Sequence, residues 1–336
     1  MKKRLLAMLM AGAMALTMTA CGGADTAKTD DAAGTKTDAA ATGDAAAGTA
    51  SGKNYRIALC MSHQTNAFTT AVSAGAKAKG EELGVTVDVF DGKQDQATQT
   101  SQIEQAINSG YDGILVEPVS VDGIVPAVKE ANDAKIPVIT VVQKMSGQEQ
   151  YAKAYCGGDD SKAGELQMTK VCEELGGKGN IAVLYGPMGS DGQLIRKQGY
   201  DKVLKANPNV KMVFDETANW VTADALTLVE NWLQTGTELN AIVAQNDGMA
   251  MGALKAVEDA GLQDKIKVYG IDAVDDAVAA IAAGRLSGTI SQDAPGQGAL
   301  GVDTMVKLLN GETVQPTSYT ECIWINKDNV AQYQKK

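Results

Sequence analysis

Residues Ala241 to Asp272 read AIVAQNDGMAMGALKAVEDAGLQDKIKVYGID, and this stretch constrains the fold more than any other. A short apolar run, Ala241–Ala244, turns abruptly polar at Gln245-Asn246-Asp247. Met251, Leu254 and Val257 then recur at a spacing that shares one helix face, and Gly261 closes the helix. A second apolar run, Val268 to Ile271, ends on Asp272. The pattern is strand–helix–strand with a polar residue at the carboxyl end of each strand. Open α/β sheets bind small ligands in the crevice beyond those ends, so Asn246 and Asp272 are the first candidate site residues.

The same alternation fills the rest of the chain. Before it, strands are expected at Arg56–Met61, Val85–Phe90, Gly113–Val116 and Pro137–Val142, with helices at Asn66–Leu83, Gln96–Ser109 and Val121–Ala134. Tyr155-Cys156-Gly157-Gly158-Asp159-Asp160 breaks the rhythm, glycines and acids replacing the usual strand. A second series follows, with helices at Ala163–Leu175, Gln193–Ala206, Ala223–Gln234 and Ala273–Ala283, and strands at Ile181–Tyr185, Val210–Phe214 and Gly288–Ser291. The halves repeat one architecture, predicting two similar doubly wound α/β lobes with a cleft between them. The apolar strands are uncut by charge, as in a parallel sheet covered on both faces. A helix over Ala299–Leu309 and a strand over Tyr319–Ile325 remain to be shared between the lobes.

The ends set the location. Lys2, Lys3 and Arg4 precede an apolar segment from Leu5 to about Leu16, too short to span a bilayer. The segment closes on Met18-Thr19-Ala20-Cys21, small residues before a cysteine, which resembles a bacterial lipobox. Residues 1–20 are therefore expected to be a lipoprotein signal peptide and Cys21 the lipidated N-terminus. Residues 22–53 are Ala, Gly, Thr, Asp and Lys with one Ser, a composition that cannot bury a core and is expected to serve as a disordered tether. The formal charge of −11 argues against nucleic acid, which needs clustered Lys and Arg.

Catalytic and metal chemistry find little support. There is one histidine, His63, and no GxxxxGK[ST], HExxH, GxSxG or EF-hand pattern. Cys60, Cys156, Cys172 and Cys322 show no CxxC spacing; Cys60 reads as strand packing and free buried thiols are expected. Gly296-Gln297-Gly298-Ala299-Leu300-Gly301 matches GxGxxG but lacks the βα return and ribose-binding acid of a dinucleotide site, so it reads as close helix packing. No cofactor and no metal is expected. Phe68 and Trp220 fall on loop rims facing the cleft, where aromatic faces suit the apolar faces of a sugar ring. Glu117, Asn246, Asp272 and Gln292 sit at carboxyl ends of strands, and carboxylates and amides bond hydroxyl pairs in fixed directions.

Tyr111–Val141 (YDGILVEPVSVDGIVPAVKEANDAKIPVITV), Ala244–Val257 (AQNDGMAMGALKAV) and Val268–Asp293 (VYGIDAVDDAVAAIAAGRLSGTISQD) together resemble the ribose/galactose type of solute-binding proteins of bacterial ABC importers. The similarity runs from about Lys53 to Lys336. It implies a type I periplasmic binding protein fold, with lobes over 54–156 plus 293–321 and 157–292 plus 322–336, joined by a three-strand hinge. By position, the first-lobe aromatic falls on Phe68, the second-lobe aromatic on Trp220, the amide on Asn246, the carboxylate on Asp272 and the hinge glutamine on Gln292. Ribose binders carry Asp-Arg where this chain has Val142-Gln143, their second-lobe arginine falls on Leu194 with Arg196 two residues on, and Glu117 replaces a usual Asn. These departures place Gln143 and Arg196 among the ligand-binding candidates and argue against ribose itself. DNA-binding repressors share the resemblance, but a lipoprotein leader here stands in place of their headpiece.

The resulting expectation is a monomeric, lipid-anchored, extracytoplasmic receptor that binds a monosaccharide or polyol and presents it to ABC permease subunits. A sensor subunit for a furanone-like autoinducer and an enzyme acting on glycans are the rivals; the latter needs two carboxylates roughly 5 to 10 Å apart.

Overall fold

A computed structural model describes residues 54–334. The expected signal peptide, Cys21 and tether lie outside the described residues.

Two six-stranded sheets organise the chain. The first runs β11 (Thr317–Tyr319), β5 (Ala154–Gly157), β4 (Val138–Val141), β3 (Gly113–Val116), β1 (Arg56–Met61), β2 (Thr86–Asp91), all parallel. The second runs β12 (Ile323–Asn326), β10 (Gly288–Ser291), β9 (Lys267–Tyr269), β8 (Ala241–Ala244), β6 (Gly179–Tyr185), β7 (Val210–Thr217). Only β12 runs against its neighbour in that sheet. The strand period of two decides which side chain meets which layer. Ile57, Leu59 and Met61 enter one core beside α1 (Ala67–Leu83) and α10 (Ala294–Leu309), while Ala58 and Cys60 enter the opposite one beside α2 (Gln96–Asn108) and α3 (Val125–Asp133). In the second sheet Ala182 and Leu184 face α7 (Thr222–Gln234), α8 (Asp247–Asp259) and α9 (Asp275–Ala282). Ile181, Val183 and Tyr185 face α5 (Asp160–Glu174) and α6 (Asp191–Ala206).

The structure corrects the sequence reading at three places. Ala154–Gly157 is a strand after all, β5, preceded by the short helix α4 (Gln148–Tyr151). Tyr155 and Cys156 are fully buried there, and the chain turns polar only after Gly158. The single strand expected over Tyr319–Ile325 is two, β11 in one sheet and β12 in the other. Val121–Ala134 becomes helical only at Val125, with Pro126 in the first turn, where its missing N–H costs nothing.

Three segments cross between the sheets: β5 to α5, β10 to α10, and β11 to β12. Thr320 ties them, its N–H donating to Gly157 O at 2.9 Å and its hydroxyl to Gln292 O at 2.7 Å. The glycines of the GxGxxG stretch pack as expected, inside α10. A Cβ at Gly298 would run into the carbonyl of Val72 on α1, so glycine lets the two helices meet backbone to backbone. The four cysteines among the described residues are free and buried; Cys156 Sγ faces Thr304 Oγ1 and Cys322 Sγ faces Asp159 O. Among those residues no helix is long and apolar enough to cross a membrane.

Candidate functional site

The carboxyl ends of both sheets open on one cavity of about 270 Å³. From the first lobe come Ser62 and His63 after β1, Asn66 and Phe68 at the start of α1, Glu117 after β3, and Val142 and Gln143 after β4. From the second come Asp160, Ser190 and Arg196 on or beside the starts of α5 and α6, Asn219 and Trp220 after β7, Asn246 after β8, and Asp272 after β9. The two lobes thus supply opposing walls.

Local structure explains why each residue stands there. Asn66 and Asn246 are the N-caps of α1 and α8, each accepting a backbone N–H at 2.9 Å, from Thr69 and Met249. The cap occupies the amide oxygen, which leaves the NH2 end to donate to a ligand. Several cleft and hinge residues adopt a left-handed backbone that L-residues avoid: Val142 at φ 64°, Asn219 at 54°, Trp220 at 64°, Asp272 at 131° and Asp293 at 51°. For β-branched Val142 this is a marked outlier, and such strain gathers where the surrounding structure must aim side chains at a ligand. Gly186 serves the same end: a Cβ there would collide with the Trp220 ring.

The electrostatics are lopsided. Glu117, 3 % exposed, accepts the N–H and hydroxyl of Ser62 at 3.1 and 2.8 Å. Burial raises its carboxyl from 4.5 to about 7, against the pull of the Ser62 donors and the Gln143 amide. Arg196, 7 % exposed, donates its Nε to Asp160 Oδ1 at 2.7 Å and its Nη1 to the carbonyl of Gln245, and its guanidinium lies 5.6 Å from the Trp220 ring centroid. Burial opposes its charge, and Asp160 and Asp272 more than restore it. Asp272 is pushed well above the usual carboxylate range by burial and by Asp247, itself raised to about 6 by burial. Burial also lowers His63, which keeps it a neutral imidazole at pH 7.

The structure brings together Phe68, Glu117, Gln143, Arg196, Trp220, Asn246 and Asp272. Gln292 does not reach the cleft wall. It is 1 % exposed and stands behind Asp272, donating to its Oδ1 at 3.2 Å, so it positions that acid. Leu194, on which the family's arginine position falls, is 45 % exposed on the outer side of α6, while Arg196 lines the cleft. Sequence reasoning missed Asp160, Ser62 and two braces. Gln99 of α2 donates to Glu117 O at 2.7 Å and accepts from Val119 N at 2.9 Å. Gln167 of α5 donates to Ala244 O and Gly270 O at 3.0 and 2.8 Å. A glutamine on the buried face of each of two helices was the available signal, since amides at such positions need partners.

The wall holds no cysteine, its Ser62 hydroxyl bonds to the Glu117 carboxylate rather than to a histidine, and among the described residues no group of His, Cys, Asp and Glu could hold a metal ion. Two aromatic faces, two capping amides, a fixed guanidinium and carboxylates form a surface that hydrogen-bonds a small hydroxylated molecule from both sides.

Fold and cleft together define a two-lobed receptor for small ligands. The model of the family described as "Periplasmic binding protein domain" matches residues 57–313, and the chain belongs to that family. It is 34 % identical over 286 residues to a putative rhizopine-binding protein of Rhizobium meliloti, covering 83 % of this chain and 93 % of the relative. It is 33 % identical over 321 residues to a xylitol-binding protein of Mycolicibacterium smegmatis, covering 95 % and 84 %. Among solved structures, an ABC transporter solute binding protein from Bacillus halodurans with bound myo-inositol superposes with a TM-score of 0.80 at 33 % identity, covering 84 % of this chain and 97 % of that one. These relatives are binding proteins rather than enzymes, and the family implies a place outside the cytoplasm.

Proposed function

We propose that this chain captures a monosaccharide or related polyol between its lobes and delivers it to the membrane subunits of an ABC permease, held beside the membrane by a lipid on Cys21. The observation that carries the ligand class is the 270 Å³ cavity walled by Phe68 and Trp220 and edged by Glu117, Asn246, Asp272 and Arg196. A ring of that size offers apolar faces to the aromatics and hydroxyls to the polar edge. A relative whose name specifies xylitol and a structure holding myo-inositol support the polyol class, while ribose import binding proteins at 30 % identity support the monosaccharide class. The Val142-Gln143 pair, which lacks the charges of ribose binders, argues against ribose itself. Binding both walls at once favours closure, since the ligand has more contacts in the closed state. The test is a thermal-shift screen of the full-length chain against pentoses, hexoses, inositols and acyclic polyols, followed by calorimetry. A ligand specific for the folded state raises the midpoint by mass action. If no member of the panel shifts the midpoint, the reading falls.

A further inference from the structure

The cleft holds more acid than base. Glu117, Asp160 and Asp272 line it against one guanidinium, Arg196. That guanidinium is already committed to Asp160 and the Gln245 carbonyl, within the field of Asp272. His63 is neutral at pH 7. Lys144, next to Gln143, turns its ammonium away, over the rings of Tyr155 and Tyr319 at 4.9 and 5.6 Å. Glu117 on the first lobe therefore has no cation. Its partners include the N–H and hydroxyl of Ser62, which hydrogen-bond the ionised carboxylate without neutralising it, so its burial still opposes the charge. A buried carboxylate held ionised without a counter-charge is costly, and removing that cost is available binding energy.

We propose that the ligand of this receptor carries a protonated amine, an amino sugar or aminocyclitol, whose ammonium is held by Glu117 between the Phe68 and Trp220 walls. Specificity for the amine rests on the receptor reading above and narrows it. A hydroxyl at the same place bonds to Glu117 but brings no charge, while an ammonium does both, and charge-assisted hydrogen bonds are the stronger class. The aromatic walls favour a cation too, since their ring faces are negative. The unpaired acid also disfavours sugar phosphates and sugar acids, which would bring like charge to Glu117.

The experiment uses the full-length chain, calorimetry at pH 7.5 and matched probes: glucose with glucosamine, galactose with galactosamine, and an inositol with its aminodeoxy counterpart. Each amine is also offered as its neutral N-acetyl derivative. At least one amine is expected to bind tenfold or more tighter than its hydroxyl partner. Acetylation should abolish that advantage, and Glu117→Gln should bring the amine and its hydroxyl partner to the same affinity. The acetylation arm needs no variant, so a poorly folded Glu117→Gln does not blunt the test. Hydroxyl partners binding as tightly as every amine would overturn the ammonium site and leave the polyol receptor standing. An amine preference that survives Glu117→Gln would also overturn it. Binding by neither series removes both readings.

Discussion

The backbone N–H of Lys144 donates to Asp191 Oδ2 at 3.0 Å, and the two residues belong to opposite lobes. Lys144 follows β4 in the first sheet and Asp191 opens α6 against the second. Burial raises the Asp191 carboxyl, opposed by the Lys144 N–H. The bond links the two lobes beside Gln143, and separating the walls would break it. Asp191→Ala is expected to shift the unliganded chain towards the open form. A hydrogen bond to a charged group is worth about 1.5–3 kcal/mol, so ligand affinity should fall roughly tenfold or more. Small-angle scattering would register a larger radius for the free variant, and an unchanged radius would argue against the latch.

Arg196 and Asp160 form a buried pair of a different kind, both within the second lobe. Removing one member of such a pair strands the other without compensation, at about 3–5 kcal/mol. Arg196→Ala should therefore lower stability to urea as well as abolish binding. Removing Asp160 in addition should restore part of the loss, because the stranded charge is then gone. Strictly additive effects of the two changes would mean that the pair is not coupled.

Much of this architecture was legible in the residues. The strands Arg56–Met61, Gly113–Val116 and Gly288–Ser291 were read to the residue, because apolar runs between glycine and charge leave no other length. β5 was not, because Gly157 and Gly158 resemble a turn; only the sheet, where Tyr155 and Cys156 pair with Thr140 and Val141, makes the strand evident. Strand-end position located Glu117, Asn246 and Asp272, since the carboxyl edge is common to all such strands. It could not tell Gln292, which braces, from Asp272, which faces the cleft; that depends on side-chain direction. The family's arginine position fell on Leu194 while Arg196 lines the cleft, because a helix turns by slightly more than half a circle over two residues and only packing shows which face looks inward.

Trp220 and Asp272 face the same ligand from the second lobe, one through area and the other through hydrogen bonds. Trp220→Ala and Asp272→Ala should each weaken binding at least tenfold, or about 1.4 kcal/mol. Neither is expected to unfold the chain. Trp220 sits on a strained loop, and Asp272 is a desolvated acid whose burial is a cost in the free protein. Calorimetry paired with melting curves checks this, and wild-type affinity in both variants would place the ligand elsewhere.

The anchor is tested apart from the fold. Cys21→Ser should move the protein from the membrane fraction to the soluble one, with ligand affinity unchanged. Retention in the membrane after a high-salt wash would rule out a lipid on that cysteine, because electrostatic adhesion is screened under those conditions.

Glu117 gives the sharpest dependence on pH. Its carboxyl is raised from 4.5 to about 7 by burial, so the folded chain holds this proton more tightly than the unfolded chain does. The associated stability is whole below pH 4.5, is lost as the pH rises to about 7, and stays lost above it. Each unit corresponds to about 1.36 kcal/mol, so the loss across the window is on the order of 3 kcal/mol. Glu117→Gln keeps the shape and one acceptor for Ser62 but does not titrate. In the unliganded protein the variant should gain on wild type as pH rises from 5 to 8, and the gain should level off above neutrality. Urea unfolding at pH 5, 6, 7 and 8 measures it, and a wild-type-to-variant difference that stays flat would show that Glu117 does not take up its proton in that range. Saturating amine supplies the missing counter-charge, so wild type should then recover most of the difference at pH 8. A neutral polyol at the same saturation should leave a larger part of the difference in place.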